Sequence, residues 1–316
     1  MVARGQLPTM HRREFLCSAA ALAMPATRAR RVTPDRRTRL ILLGTAGGPR
    51  PRTSRFPSAQ VVLVDDTPYI VDCGNGVARQ LVAANVPLRA IRHVFITHHH
   101  SDHNADYGNL LLLAWTAGLQ TPVDCWGPAP LARMTAQFLA LNSTDIDSRI
   151  ADEGRVPLAP LIRPHDLDRA SVVLDDGKVR VTATLVDHPP LDRAFAYRFD
   201  TPERSIVISG DTRKSDALVR LAQGADVLVH EALFPSAVDR LIANVSNAPS
   251  LKASIIGHHT AAADVGRVAA AAGVKTLVLS HLVPAEDPTI TDTMWIEAAR
   301  LSFRGTIIVG RDLMEI

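Results

Sequence analysis

The sequence predicts an α/β fold, one domain built of two similar halves, and three observations carry this reading. Apolar strand-like runs alternate with stretches of helical periodicity from residue 40 to residue 316. The second half begins again in the style of the first, with strands expected at 179–186, 193–199 and 204–209. Several strands end on histidine or aspartate, where an α/β sheet collects its polar groups. With 316 residues, 47% of them hydrophobic, the chain is long and apolar enough for a buried core.

Taken in order, "RLILLGTAGG" (39–48) is a buried strand running into a glycine turn, and "PRPRTSRFPSA" (49–59) is loop by its proline and serine content. Strands follow at 60–64 and 68–72, then a helix in "NGVARQLVAANV" and a strand in "IRHVFIT" (91–97). "YGNLLLLAWTAGL" and "APLARMTAQFLALN" read as helices. After the three second-half strands come a short helix in "DALVRLAQG", a strand in "DVLVHEA" and a helix in "AAADVGRVAAAAG". The strand "VKTLVLSH", the helix "DTMWIEAARLS" and the strand "GTIIVG" close the chain. No stretch after residue 40 has the composition of a linker.

The first 29 residues read as a leader and residues 30–316 as the domain. "HRREFLCSAAALAMPATRARR" (11–31) has a basic start, a short, mildly apolar middle and small residues near its end. Arg12–Arg13 followed by Glu14, Phe15 and Leu16 resembles a twin-arginine export signal, which implies the export machinery as a partner and a periplasmic location. Cleavage after Ala23 or Ala29 is expected. Leu16 before Cys17 speaks against a lipid anchor, and no apolar run reaches membrane-spanning length, so no stable membrane anchor is expected. Residues 1–40 hold nine arginines against Glu14 and Asp35, so the remaining 276 residues carry −4 of the net +3. That balance argues against duplex nucleic acid as a partner. Cys73 and Cys125 each end a strand-like segment and read as small buried hydrophobes, not as a disulfide framework.

"ITHHHSDH" (96–103) is the chemically pointed stretch. His98, His100, Asp102 and His103 form H-x-H-x-D-H at the end of a strand. Alternate residues of a strand-end loop can point to one side, so His98 and His100 can share one metal ion. Asp102 and His103, one turn further on, can reach a second. Imidazole nitrogen and carboxylate oxygen suit Zn²⁺. His99 is the odd member and is expected to point away. His188, Asp211 and His281 also follow strand-like runs, "RVTATLVD", "SIVISG" and "TLVLS".

These residues resemble the metallo-β-lactamase superfamily, nearest to its ribonuclease Z-like phosphodiesterase and arylsulfatase branch. The resemblance runs from Leu40 to Ile316 through "LLGTAGGP", "VDCGNG", "THHHSDH", "VDH", "SGDT", "VHEA", "GHHTA" and "LSHL". It implies a four-layer αββα sandwich with the metal site at the shared edge of its two halves. It also implies two Zn²⁺ per chain, one on His98, His100 and His188, the other on Asp102, His103 and His281, with Asp211 bridging. Asp102 is thereby counted with the catalytic residues. Asp72 in "VDCG" reads equally as support for a metal-binding histidine or as a strand-end turn residue.

In this branch a hydroxide shared by the metals attacks the ester, and a glutamate–histidine pair protonates the leaving oxygen. The resemblance carries that pair to Glu231 of "HEALF" and His258 of "GHHTA", with the doubled histidine leaving His259 as the alternative. The long transfer-RNA-gripping arm of ribonuclease Z has no room here, because His188 and Asp211 are 23 positions apart. The expected activity is therefore hydrolysis of a small anionic ester, a phosphodiester or a sulfate ester. A β-lactamase or lactonase acting on acyl substrates is the first rival, and a metal-binding protein without turnover the second. Arg50, Arg52 and Arg55 beside the glycine loop either hold an anion or form a solvated basic loop. The sequence leaves the oligomeric state open and admits a homo-oligomer.

Overall fold

Two seven-stranded sheets face each other in the computed structural model, which describes residues 38–243 and 245–316. The leader expected over residues 1–29 lies outside the described residues. The first sheet contains β1 (Thr38–Gly44), β2 (Ala59–Val64), β3 (Thr67–Val71), β4 (His93–Phe95), β5 (Val123–Pro128) and β6 (Ile162–Leu167). The second contains β7 (Ser171–Asp175), β8 (Arg180–Val186), β9 (Ala194–Asp200), β10 (Ser205–Ile208), β11 (Val227–Leu233), β12 (Thr276–Val283) and β13 (Thr306–Val309). A last short strand, β14 (Met314–Glu315), returns to β1 and completes the first sheet.

The halves share one plan. From β1 to β3 the first sheet is antiparallel, and from β3 to β6 it is parallel. In the second sheet β7 to β10 are antiparallel, and β10 to β13 are parallel. On the first sheet's outer side lie α1 (Val77–Ala83), α3 (Tyr107–Thr116), α4 (Leu131–Leu141) and α5 (Ser143–Glu153), and the single-turn α2 (Ser101–Asn104) follows β4. The second half adds α6 (Asp216–Leu221), α7 (Val238–Ile242), α8 (Ala248–His258), α9 (Ala262–Ala272) and α10 (Asp292–Arg300). The result is the four-layer αββα sandwich that the resemblance implied.

The strand sequences explain the layering. In β1, Leu40 and Leu42 enter the layer between the sheets while Ile41 and Leu43 meet the outer helices, so the strand is apolar on both faces. Aromatic side chains fill the middle: Phe95 lies 5.4 Å from both Tyr197 and Phe199 and stacks on Trp126 at 4.9 Å. Cys73 and Cys125 are buried free thiols, and burial pushes Cys125 up to about 12. No helix among the described residues is long and apolar enough to cross a membrane.

Candidate metal centre

The C-terminal ends of β4, β8, β10 and β12 open at one edge of the sandwich, and each delivers part of a single cluster. β4 runs into His98 and His100, and α2 then supplies Asp102 and His103. β8 is followed by His188, β10 by Asp211, and β12 carries His281. Six of these seven side chains are buried, with His100 half-buried.

His98 Nε2 and His188 Nε2 each lie 3.1 Å from His100 Nδ1. Donors around one tetrahedral ion at the usual Zn–N length sit about 3.3 Å apart, so this triangle has the size of one coordination shell. A second group, Asp102, His103, Asp211 and His281, brings its ligand atoms within 4.8 Å of one another. His281 Nε2 is 3.1 Å from Asp102 Oδ2 and 3.2 Å from Asp211 Oδ2. His103 Nε2 is 3.3 Å from Asp211 Oδ1, and both atoms are buried without a hydrogen-bond partner. Asp211 Oδ2 is also 3.9 Å from His98 Nε2 and His188 Nε2, which puts this carboxylate between the two groups.

Hydrogen bonding on the far side of each ring decides which nitrogen is bare. Asp72 accepts from the Thr97 amide at 2.8 Å, the Thr97 hydroxyl at 2.9 Å and His103 Nδ1 at 2.7 Å. Because Asp72 takes the Thr97 hydroxyl proton, Thr97 Oγ1 can only accept from His98 Nδ1–H, 3.1 Å away. His188 Nδ1–H donates to the His258 carbonyl at 3.1 Å. His98 and His188 therefore each turn an unprotonated Nε2 inward, which is the form a metal requires, while His103 presents Nε2 to the same cluster, where Asp211, Asp72 and Asp102 override burial and raise the ring well above the ordinary imidazole value. Burial reinforces the bare form of the first two by pushing His188 down to about 4 and His98 well below the ordinary imidazole value. Burial alone would raise Asp211, but His281 and His103 hold it far below the usual carboxylate range. Crowded bare nitrogens, two orphaned buried atoms and an all N/O donor set fit two divalent cations.

His99 points away, as its place in the run suggested: Nε2 bonds the Pro128 carbonyl at 2.7 Å and Nδ1 meets Asn104. Asp102 Oδ2 accepts from the Gly48 amide at 2.8 Å, which ties the glycine loop to the site. Gly47 allows that approach, since a Cβ there would lie 2.8 Å from His281 Nδ1.

The expectation that His258 pairs with Glu231 is corrected. His259 Nδ1 lies 3.3 Å from Glu231 Oε1, whereas His258 Nδ1 contacts Ser254 Oγ within α8. α8 ends at His258, so the next residue leaves the helix in an extended conformation, which swings its ring inward. Burial alone would lower His259, but the Glu231 carboxylate overrides it and raises the ring to about 9. Glu231 Oε1 is itself fixed by the Thr212 and Thr260 amides at 3.2 and 3.0 Å. Of the three arginines, Arg55 is spent on Thr45 and the Gly310 carbonyl, and Arg52 on the Gly47, Gly48 and Arg50 carbonyls. Arg50 and Arg52 still line the open cavity of about 270 Å³ beside the cluster.

The sequence reading missed α7 and α8, which wall this cavity. The available signal was Leu251, Ser254, Ile255 and His258, spaced as one helical face. Neighbouring Asn247, Pro249 and Gly257 disguised it.

The family described as "Beta-lactamase superfamily domain" matches residues 67–282. Ribonuclease Z of Mycobacterium bovis BCG is 32% identical over 282 residues, covering 88% of this chain and 97% of that protein. Ribonuclease Z of Mycobacterium marinum has the same identity and coverage. Among solved structures, the metallo-β-lactamase fold protein YhfI from Bacillus subtilis aligns with a TM-score of 0.65 at 20% identity, covering 88% of this chain and 98% of that one. Human tRNase Z, short form, aligns with a TM-score of 0.63 at 22% identity and the same coverage. Fold, matched family and strand-end metal cluster agree: the chain belongs to the β-lactamase superfamily, in its ribonuclease Z-like branch, and is a metal-dependent hydrolase.

Proposed function

We propose that this chain is an exported, dinuclear zinc hydrolase of small anionic esters, phosphodiesters first and sulfate esters next. The observation that carries the reading is the Glu231–His259 pair beside the double ligand cluster, because expelling a basic oxygen needs an acid. His98, His100 and His188 would hold one ion and Asp102, His103 and His281 the other, with Asp211 serving both. When bound, two such ions acidify water toward neutrality and polarise an ester's oxygens. The chain's own residues do the rest. Asp72 and Thr97 lock the tautomers of His98 and His103. The Gly48 amide orients Asp102. Glu231 engages His259 Nδ1, so the proton handed to the departing oxygen is the one on Nε2.

Cleavage of RNA is a second reading, favoured by the curated relatives' name, since the match spans 97% of their length. Against it, β9 and β10 fill the interval from His188 to Asp211 and leave no long arm there. One panel tests these readings and the acyl rivals: bis-p-nitrophenyl phosphate, an aryl sulfate, a transfer-RNA precursor, nitrocefin and an acyl homoserine lactone, each with and without chelator. Chelator-sensitive turnover of the phosphodiester is expected. Turnover of nitrocefin or the lactone alone would overturn the proposal. The export signal rests on Arg12–Arg13; changing both to lysine should retain the protein in the cytoplasm, and continued export would contradict it.

A further inference from the structure

The cavity has two unlike sides. One is the metal cluster with the glycine loop. The other is formed by Leu241 of α7, Leu251 and Ile255 of α8, and Val283 at the end of β12. These four side chains belong to a small apolar cluster with Leu233, Val238 and Ile242, so the wall is anchored. Ser254 is the polar interruption on α8, and its hydroxyl is already paired with His258 Nδ1 at 3.1 Å. Arg50 and Arg52 spend N–H groups on main-chain carbonyls, of Leu241 in one case and of the glycine loop in the other.

His259 directly follows α8 and is the group placed to protonate a departing oxygen. A leaving oxygen within its reach puts the body of the leaving alcohol along α8, over Leu251 and Ile255. A nucleoside there would need donors and acceptors for its base and sugar, and among the described residues the α7–α8 side of the cavity presents only Ser254 and His258 as polar side chains, paired with each other. A hydrocarbon body needs none and gains by leaving water.

We infer that the enzyme's substrates are anionic esters whose leaving alcohol carries an apolar alkyl or aryl body seated on the α7–α8 wall. This specificity rests on the phosphodiester reading above, and the test separates the two. The probes are methyl phosphate diesters of ethanol, butanol, hexanol and a nucleoside 5′-hydroxyl, assayed with metal-loaded protein. Their inert partners are alkyl(methyl)phosphinates of the same chain lengths, which have no P–O–C bond to cleave and whose binding is followed by calorimetry. Affinity and kcat/KM should rise about four-fold per added methylene until the cavity is full. The nucleoside diester should fall below hexyl. Leu251→Ala and Ile255→Ala should flatten the rise, and Leu141→Ala, on an exposed residue of α4, should not. A flat series, or a preference for the nucleoside, would overturn the inference while leaving phosphodiester hydrolysis standing. Chain-length-dependent binding of the phosphinates without turnover of any diester would sustain the inference and remove the phosphodiester reading instead.

Discussion

Asp72 shows how one residue can organise a site it does not belong to. Its two oxygens take the Thr97 amide, the Thr97 hydroxyl and His103 Nδ1, and through Thr97 they also set His98. The sequence alone left a turn residue and a supporting carboxylate equally open there, because only the folded loop brings residues 72, 97 and 103 together. Which histidine meets Glu231 was ambiguous for a similar reason. Adjacent histidines at a helix end are indistinguishable until the last helical residue is known, and His259 proves to be the one facing Glu231. His259→Ala should therefore cost on the order of 10²–10⁴-fold in kcat/KM on a diester with a basic alkoxide leaving group. On a p-nitrophenyl ester, which departs without a proton, it should cost little. His258→Ala should show no such dependence on the leaving group. Rates on a leaving-group series decide it: a uniform loss for His259→Ala would mean a structural role, and a graded loss confined to His258→Ala would move the relay back.

At the scale of elements, two local irregularities aim the ligands. Between β11 and β12 the register slips after Glu231–Ser280, leaving His281 as an extra residue with φ 42°. Such a bulge turns its side chain out of the ladder and here sends it into the cluster. Gly210, with φ 58°, turns the chain sharply before Asp211, and a Cβ there would lie 2.9 Å from Thr97 Cβ and 2.8 Å from the Phe195 carbonyl. Gly210→Ala should destabilise the fold by about 1–3 kcal/mol. By displacing Asp211 it should also lower turnover on the order of 10²-fold. Thermal unfolding and metal analysis of the purified variant check this; full metal content with an unchanged rate would show that the bend does not set Asp211. The periodicity of long elements such as β1, α3 and α9 was legible because their apolar residues repeat regularly. β6, β7, α5, α7 and α8 were not, since they lie near edges or the site mouth, where burial is partial and the pattern breaks.

At the scale of the molecule, two sheets of matching plan meet so that strand ends from both halves converge on one edge. Neither half holds the cluster by itself. His98, His100, Asp102 and His103 come from the first, and His188, Asp211 and His281 from the second. This arrangement was legible from ligands recurring after strand-like runs in both halves, whereas the cavity's apolar wall was not, because its helices follow no ligand motif. The central claim is that the paired cluster binds two ions and that both are needed for ester hydrolysis. The most direct measurement is titration of metal-stripped protein with Zn²⁺ while following hydrolysis of bis-p-nitrophenyl phosphate. The stripped protein should be inactive, and activity should rise and level off at two equivalents per chain. Hydrolysis that persists after the metal is removed, or saturates at one equivalent, would contradict the central claim.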